Sequence, residues 1–441
     1  MALIAIDSKT KEEINIDTSK SRAIAILGKR GSGKSYTLGR FIEQVYYAGR
    51  HCCVVIDPMG IFWSVCIPKG DAPAIPVNVL VPGSVEKTFG LMAASLAGYG
   101  CEVHSLRLNA SDLTPEMWLR LLGVKMSDAQ GIALTRALRQ MGERKFNLLD
   151  LIEQVEQDDK SNKRTLEAVV NRLDGLAYLG VFGEKYKPLS ELLKPDMVNV
   201  INISGLDAGP DSLRNLVVDL VVNSIFSHGL EAWHLGQFGL ATATKPTFLF
   251  IDEAHNFVPR VGDALGKPVL IRYIKEGRAP DLSIAVATQE PAAVDPSFAT
   301  QSDVRIFHML SSAEDVDVAA KMAGRHASAV APLMKAINEP GRAIVIDDLH
   351  DKIRIANMLP RDSVHGTEKL PPPPKKVDED GEELITKNRR RLSFLRSEII
   401  EESNSPVRQR GQRAAMYKVA AMFEMYEEEA LHEQEGVDES Y

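Results

Sequence analysis

The sequence of 441 residues has few cysteines, no long hydrophobic run and no excess of positive charge. Its four cysteines lack the paired spacing of a zinc site, and Cys52 and Cys53 open an apolar run where buried free thiols are expected. No run of about eighteen apolar residues and no signal-peptide pattern occurs, so we expect a cytoplasmic protein without a membrane span. The net charge of −8 argues against a surface coated with basic patches. Nucleic acid held by a few local basic loops remains compatible with it.

What the sequence does contain is an alternation of short apolar runs and helical stretches. Near-continuous apolar runs separated by helices are typical of a parallel sheet covered on both faces, which predicts an α/β fold. The predicted helices include 35–47, 211–227 and 267–276. The predicted strands are 23–27, 51–60, 77–81, 199–205, 246–253, 282–289, 304–310 and 341–347.

Composition changes along the chain suggest six segments. Residues 111–195 are rich in Leu, Arg, Glu and Gln without strand signals, which predicts a helical insertion in the α/β core. The tail carries amphipathic helical patterns at 388–402 and 408–435, which are either solvent-facing or a surface for a partner. The expected segments are a short N-terminal strand segment (1–22), the first part of the core (23–110), the insertion (111–195), the second part of the core (196–365), a Pro-rich and acidic linker (366–387) and a helical C-terminal tail (388–441).

The stretch GKRGSGKS at 28–35 matches the phosphate-binding pattern G-x-x-x-x-G-K-[ST]. Glycines let backbone N–H groups surround an anion, and the following helix points its positive dipole end at the same place. Lys34 can reach the β- and γ-phosphates, and the Ser35 hydroxyl can bind Mg²⁺. A strand before it and a helix after it argue against a chance match, so ATP and Mg²⁺ are the expected ligands. The expected nucleotide-binding residues are Gly28, Lys29, Arg30, Gly31, Ser32, Gly33, Lys34, Ser35 and Tyr36.

Two acids at the end of the run TFLFIDE (247–253) fit the second half of such a site. Ligands of open α/β sheets bind at the carboxyl ends of the strands, where Asp252 and Glu253 fall. We expect Asp252 to hold Mg²⁺, through water, and Glu253 to act as the general base on the attacking water. His255 is expected to pack against a helix rather than take part in catalysis.

Gln289 ends another apolar run, SIAVATQ (283–289), which we expect to form a strand between the phosphate-loop strand and the Asp252 strand. An amide at that place can donate to the γ-phosphate or to the lytic water and report whether ATP is intact. A purely structural amide is the alternative.

Together these motifs resemble the HerA–FtsK superfamily of hexameric DNA-pumping ATPases, and HerA-type helicases most closely. The resemblance covers about residues 20–365 and rests on the phosphate loop, DPMG, INISGLD, FIDEAHNFVPR, EGRAPDLSIAVATQEPAAVDP and GRAIVID. It implies a RecA-like core, a homo-hexameric ring with ATP between subunits, and duplex DNA in the pore. HerA proteins usually carry an N-terminal β-barrel that docks a partner nuclease. The present sequence reaches its phosphate loop at Gly28, so we expect that barrel to be absent and a partner to dock elsewhere.

Three functions are compatible with this resemblance. The first is a duplex DNA translocase or helicase that works with a nuclease or another effector in DNA processing or anti-phage defence. The second is an ATP-dependent ring that assembles an effector, and viral packaging or plasmid transfer of DNA is a related variant. The third, a protein-secretion ATPase, would normally carry a membrane anchor, and we see none. A rate of ATP hydrolysis that rises with duplex DNA and falls with salt would distinguish the translocase from the effector-assembling ring.

Basic residues are the remaining candidates for function. A ring ATPase needs a cation delivered to the γ-phosphate from the neighbouring subunit. By the resemblance, Arg278 in KEGRAPDL lies at the position that supplies this cation in HerA proteins. The alternative is that Arg278 is only a structural residue at the end of a helix. Arg305, which could pair with Asp303 or Asp315, and Lys275 are the alternatives. In the segment 259–267, Arg260 and Lys267 are candidate DNA contacts at the pore, or merely solvated charges.

Overall fold

The computed structural model describes residues 1–83, 85, 96–183, 187–240, 245–310 and 312–372. The chain divides into two compact units, one made of residues 1–88 and 101–370 and the other of residues 89–100 and 371–441. Only residues 96–100 and 371–372 of the second unit are described, so the tail helices predicted at 388–402 and 408–435 lie outside the described residues.

The described part of the first unit is organised around a sheet of twelve strands. Its strands are β1 (Ala2–Asp7), β2 (Glu13–Ile16), β3 (Ala23–Leu27), β4 (Cys52–Asp57), β5 (Val77–Pro82), β6 (Glu102–Leu106), β7 (Val198–Asn202), β8 (Thr247–Ile251), β9 (Ser283–Thr288), β10 (Val304–Phe307), β11 (Arg342–Asp347) and β12 (Lys352–Met358). The order across the sheet is β2-β1-β12-β11-β10-β3-β9-β8-β4-β7-β5-β6. Neighbours from β10 to β6 are parallel, whereas β2, β1, β12 and β11 pair antiparallel. The predicted α/β fold with a mainly parallel sheet is confirmed.

The helices of this unit connect and cover the strands. They are α1 (Lys34–Tyr47), α2 (Pro115–Leu121), α3 (Ala129–Met141), α4 (Leu148–Glu156), α5 (Lys163–Leu179), α6 (Leu189–Leu192), α7 (Leu213–Gln237), α8 (Lys267–Glu276), α9 (Ser297–Thr300), α10 (Ala313–Met322) and α11 (Ala327–Met334). Helices α2 to α6 all lie between β6 and β7 in the chain. Helix α7 starts after Ser212, whose side chain caps it by accepting from Asn215 N. It runs ten residues beyond the predicted end at 227, and the sequence did not indicate these last turns because they are partly exposed and lack an apolar stripe.

Strand β8 shows why the central runs are apolar throughout. Phe248 and Phe250 pack edge-on against Phe41 of α1, with ring centroids 5.3 and 5.8 Å away. Leu249 and Ile251, which point to the other face, belong to the hydrophobic core shared with α7. Both faces of the strand are therefore buried, and no polar position alternates with the apolar ones. None of the described helices has the length and apolar content that a membrane crossing requires.

Candidate nucleotide-hydrolysis site

The candidate site lies where three adjacent parallel strands end. Strand β9 lies between β3 and β8, as the sequence predicted for the Gln289 strand. Because parallel strands end at the same edge of a sheet, the residues that follow them come together there. These residues are the loop 28–35 after β3, Gln289 after β9, and Asp252 and Glu253 after β8.

The loop at 28–35 adopts a conformation that depends on its glycines. Gly31 and Gly33 have φ angles of 75° and 103°, which side-chain-bearing residues rarely adopt. At Gly28 an added Cβ would lie 2.6 Å from the Cβ of His308, so only glycine fits. Helix α1 begins directly at Lys34, and its first backbone N–H groups face the loop without partners in the helix. The loop is therefore shaped to surround an anion with backbone donors.

Lys34 is held inside this loop. Its side chain is largely buried, and its Nζ donates to the carbonyl oxygen of Lys29 at 3.0 Å. Burial lowers the pKa of Lys34, while the carboxylates of Glu253 and Asp252 act in the opposite direction. A desolvated ammonium beside the loop donors fits a phosphate ligand, which would replace the carbonyl as its partner.

Ser35 and Asp252 form the part of the site that suits a metal ion. The Ser35 hydroxyl donates to Oδ2 of Asp252 at 2.8 Å, and Oδ1 of Asp252 accepts from Glu253 N at 2.9 Å. Burial raises the pKa of the Asp252 carboxyl group, whereas the hydrogen bond from Ser35 acts in the opposite direction. A hydroxyl and a carboxylate oxygen next to a phosphate cradle fit Mg²⁺, which prefers oxygen ligands and keeps several waters.

Glu253 is strained and incompletely paired. Its φ of 50° lies in the left-handed region, which costs a residue with a side chain about 1–2 kcal/mol. Burial, and then the neighbouring Asp252, raise the pKa of Glu253 to about 7, although Lys34 opposes them. Its buried Oε2 has no hydrogen-bond partner among the described residues. Such an unsatisfied oxygen fits a group that binds a water or substrate proton.

His255 lies in this cluster, between the ends of two strands. It lies in a short 3₁₀ turn, Ala254–Asn256, with Nδ1 at 3.1 Å from Thr288 Oγ1 and 3.5 Å from Glu253 Oε2. Burial lowers the pKa of His255. The imidazole therefore connects the ends of β8 and β9.

Gln289 directly follows β9 and is half buried. Its backbone N–H contacts the Glu253 carboxylate and favours the charged form of that group. Within the described residues its side-chain amide makes no hydrogen bond, so it is available to a ligand beside Glu253.

His308 is a site residue that the sequence reasoning missed. It follows β10, is fully buried, and places Nε2 at 3.1 Å from Thr37 Oγ1 in α1. Burial, followed by the nearby charge of Lys34, lowers the pKa of His308 to about 3, so the ring is neutral. The sequence carried a signal for it, because His308 is a polar residue inside the predicted strand 304–310 and directly follows β10.

The three candidates for a cation acting on a neighbouring subunit differ in their surroundings. Arg278 and Lys275 are exposed near the amino end of β9, and the Arg278 guanidinium makes no ion pair within the described part of the chain. Arg305 is buried and forms an ion pair with Asp348. The predicted partners of Arg305, Asp303 and Asp315, were therefore wrong, and a buried, paired guanidinium is a poor candidate for reaching another subunit.

The two candidate DNA contacts also differ. Arg260 is exposed beside Val261, which is 88% exposed at the tip of the loop. Lys267 instead points into its own loop, where Nζ donates to Pro259 O at 2.7 Å and pairs with Asp295 at 3.3 Å. The ammonium of Lys267 therefore stabilises the loop, and only Arg260 is presented to solvent.

A short ribbon links this loop to the catalytic edge. Arg260 N donates to Ala293 O at 2.7 Å, and Asp295 N donates to Val258 O at 2.9 Å. One strand of the ribbon continues from Glu253 and the other from Gln289, and Lys267 bonds to both. The exposed loop is thus hydrogen-bonded to the segment that follows Gln289 and is continuous in the chain with Glu253.

Comparison with known proteins places the chain in a family. The profile described as "Helicase HerA, central domain" matches residues 4–228, so the chain belongs to that family and the resemblance to the HerA–FtsK superfamily is confirmed. Among curated proteins, the chain is 21% identical over 328 residues to "Probable helicase MJECL08" of Methanocaldococcus jannaschii, covering 69% of this chain and 59% of the relative. It is 20% identical over 361 residues to "DNA double-strand break repair helicase HerA" of Pyrococcus furiosus, covering 70% and 60% respectively. The chain thus spans about 60% of the length of these relatives.

Solved structures support the fold alone. VirB4 of Thermoanaerobacter pseudethanolicus aligns with a TM-score of 0.54 at 14% identity, over 81% of this chain and 96% of that one. The bacterial conjugative coupling protein TrwBdeltaN70 aligns with a TM-score of 0.50 at 14% identity, over 79% and 86%. The architecture is therefore shared with these P-loop NTPases.

Proposed function

We propose that this chain is an ATP-driven translocase of duplex DNA of the HerA type, assembled as a homo-hexameric ring that works with a nuclease or another effector in DNA processing or defence. The observation that carries the ATPase part is the Ser35–Asp252 hydrogen bond beside buried Lys34, next to a buried Glu253 oxygen that has no hydrogen-bond partner among the described residues. Membership of the HerA central-domain family and the names of the relatives as helicases support the DNA part.

Each residue of the site has a separate role in hydrolysis. Residues 28–36 hold the phosphates through backbone N–H groups, and Lys34 neutralises the β- and γ-phosphates. Ser35 and Asp252 hold Mg²⁺, which supplies charge neutralisation and orientation of the phosphates when it is bound. Glu253 accepts the proton of the attacking water, and the free amide of Gln289 donates to the γ-phosphate or to that water.

Arg278 supplies the trans cation in this proposal. It precedes β9 whereas the phosphate loop follows β3, so about 20 Å of sheet separates it from the site of its own chain. An exposed arginine at that edge, without an ion pair among the described residues, suits the site of a neighbouring copy. Trans arginines raise hydrolysis about a thousandfold or more.

Mixing two inactive proteins tests the trans role. Lys34→Ala and Arg278→Ala rings should each be inactive, and their mixture should regain activity because some interfaces then combine an intact loop with an intact arginine. Arg164→Ala, at an exposed position in α5, is the matched control and should stay active. An active Arg278→Ala ring, or a mixture that stays inactive although subunits exchange, would remove Arg278 from this role.

DNA stimulation of hydrolysis tests the proposed function itself. The wild-type ATPase rate should rise with duplex DNA and lose that stimulation as salt is raised, because phosphate contacts release counterions. Glu253→Gln should keep ATP binding and lose about a hundredfold or more in the rate of hydrolysis, while Glu167→Gln, at an exposed position of α5, should change neither. A rate of ATP hydrolysis that is unchanged by DNA but rises with a protein partner would instead favour an ATP-dependent ring that assembles an effector.

A further inference from the structure

A pair of stacked rings, one of them in the first turn of α1, lies next to the phosphate loop. The rings of Tyr36 and His365 have centroids 6.0 Å apart and planes inclined by 22°. Lys69 Nζ lies 5.6 Å from the centroid of the Tyr36 ring, and it forms an ion pair with Glu368 at 2.8 Å. Both rings are half buried, so each keeps some surface open to solvent.

His365 belongs to a segment, residues 361–368, that we call the strap. The strap is bonded to residues 61–69 over most of its length: Lys69 N donates to Asp362 O at 2.8 Å, and Val364 N donates to Ile67 O at 2.9 Å. At Gly366 an added Cβ would lie 2.6 Å from the carbonyl oxygen of Ile61, so the strap approaches that segment as closely as the backbone allows. The ring of His365 is therefore held in place before any ligand binds.

The strap is also fixed to the helix that carries the phosphate loop. Glu43 of α1 accepts from Asp362 N at 2.9 Å and from Ser363 N at 3.0 Å, and it pairs with buried Arg361. Tyr36, two residues after Lys34 on the same helix, is thus positioned relative to His365 by contacts on both elements.

The position of the rings relative to the phosphate loop indicates what they bind. Lys34, Ser35 and Asp252 mark the β/γ end of a bound triphosphate, and backbone N–H groups of the loop and first helical turn hold the α/β end. The nucleoside of a bound triphosphate would then lie beside that first turn, which carries Tyr36. Burial and the charge of Arg361 lower the pKa of His365 to about 4, which keeps its ring neutral and suited to stacking.

We propose that Tyr36 and His365 form the base subsite of the nucleotide site, where the purine of a nucleoside triphosphate stacks on the aromatic pair and its polar edge meets Lys69 and Glu368. A purine offers a larger stacking face than a pyrimidine, and the Lys69–Glu368 pair offers both a donor and an acceptor. This inference rests on the proposed nucleotide-binding function.

Comparison of two ligands tests the subsite. ADP carries a base and inorganic tripolyphosphate does not, so binding of both is measured in the presence of Mg²⁺ by calorimetry. Tyr36→Ala and His365→Ala should each weaken ADP roughly five- to a hundredfold, the range of one lost stacking contact, and leave tripolyphosphate within about twofold. Tyr36→Phe and His365→Phe keep a ring and should keep the affinity for ADP. His234→Ala, which removes an exposed ring that lies tilted against Trp233, is the matched control.

The outcomes separate the subsite from the function on which it rests. The base subsite would be overturned if both alanine variants kept the wild-type affinity for ADP. It would also be overturned if variants shown to be folded by thermal melting lost affinity for ADP and tripolyphosphate equally. In either case nucleotide binding itself would stand. Equal wild-type affinity for ADP and CDP would overturn the purine assignment. A wild-type protein that binds neither ADP nor tripolyphosphate would overturn the proposed function, and the subsite with it.

Discussion

Replacing Glu43 by Gln should strongly destabilise the first unit, because Glu43 is the buried counter-ion of Arg361. Both side chains are 0% exposed, and Glu43 Oε1 lies 3.4 Å from Arg361 Nε. The carboxylate also accepts the two strap N–H groups of Asp362 and Ser363. Gln keeps the shape but removes the charge, so the guanidinium stays buried without compensation.

The size of the effect follows from that burial. Breaking a buried ion pair by removing one partner costs about 3–5 kcal/mol. We expect the lower end, about 3 kcal/mol, because Gln retains one acceptor oxygen and Arg361 Nη2 still donates to Ser363 Oγ at 3.0 Å. With an unfolding entropy of about 2.1 cal/mol/K per residue, a unit of about 360 residues loses roughly 1.3 °C per kcal/mol, so the melting temperature should fall by about 4 °C.

Urea unfolding of wild type and variants without nucleotide measures this change. Glu276→Gln is the matched control, since its 57% exposed carboxylate pairs with Arg272 on the surface of α8 and is worth only about 0.5 kcal/mol. The double variant Glu43→Gln, Arg361→Met should lose less than Glu43→Gln alone, because it removes the uncompensated charge. A Glu43→Gln protein within about 0.5 kcal/mol of wild type, or a double variant that loses the sum of both single losses, would refute this reasoning.

Two further substitutions test the packing and the charge of the same unit. Gly39→Ala should lower the free energy of unfolding by about 1–3 kcal/mol because the new Cβ would lie 2.5 Å from Arg361 Cζ, whereas Gly175→Ala, with nothing within 4 Å, should raise it by up to about 1 kcal/mol in the same urea assay. Stabilisation by Gly39→Ala would contradict the close approach. Burial raises the pKa of Asp219 to about 6, so its ionisation makes the wild type progressively less stable as pH rises from about 4 to about 6. Asp219→Asn should therefore gain up to about 3 kcal/mol above pH 6 and nothing near pH 4, and a gain independent of pH would count against this origin.

The sequence predicted those parts of the site that have a local signal. Loop 28–35 matches the phosphate-binding pattern G-x-x-x-x-G-K-[ST]. Asp252, Glu253 and Gln289 are polar residues at the ends of apolar runs. Their meeting at one edge then follows from parallel pairing, which the apolar runs also indicate.

Features that depend on distant contacts had no such signal. Glu43 and Arg361 lie far apart in the chain, and nothing near either residue indicates that both are buried together. Lys267 looked like a surface cation because its sequence neighbours do not reveal the carbonyl of Pro259 or the carboxylate of Asp295 as partners. Strand β6 was missed because its sequence, EVHSL, belongs to a half-exposed strand at the sheet edge, where polar residues interrupt the apolar pattern.

The strand order also determines when during synthesis the phosphate loop can reach its final form. Strand β3 lies between β9 and β10, which are made some 260 to 280 residues later, and Ala5 of β1 pairs with Met358 of β12. At about 5–20 residues per second, β3 waits roughly 15–60 s for its neighbours to leave the ribosome. Contacts of such large sequence separation also slow folding itself. The apolar segment that precedes the loop is therefore exposed to aggregation throughout that interval, and a nascent chain gains no stability from nucleotide until β8, β9 and β10 have emerged.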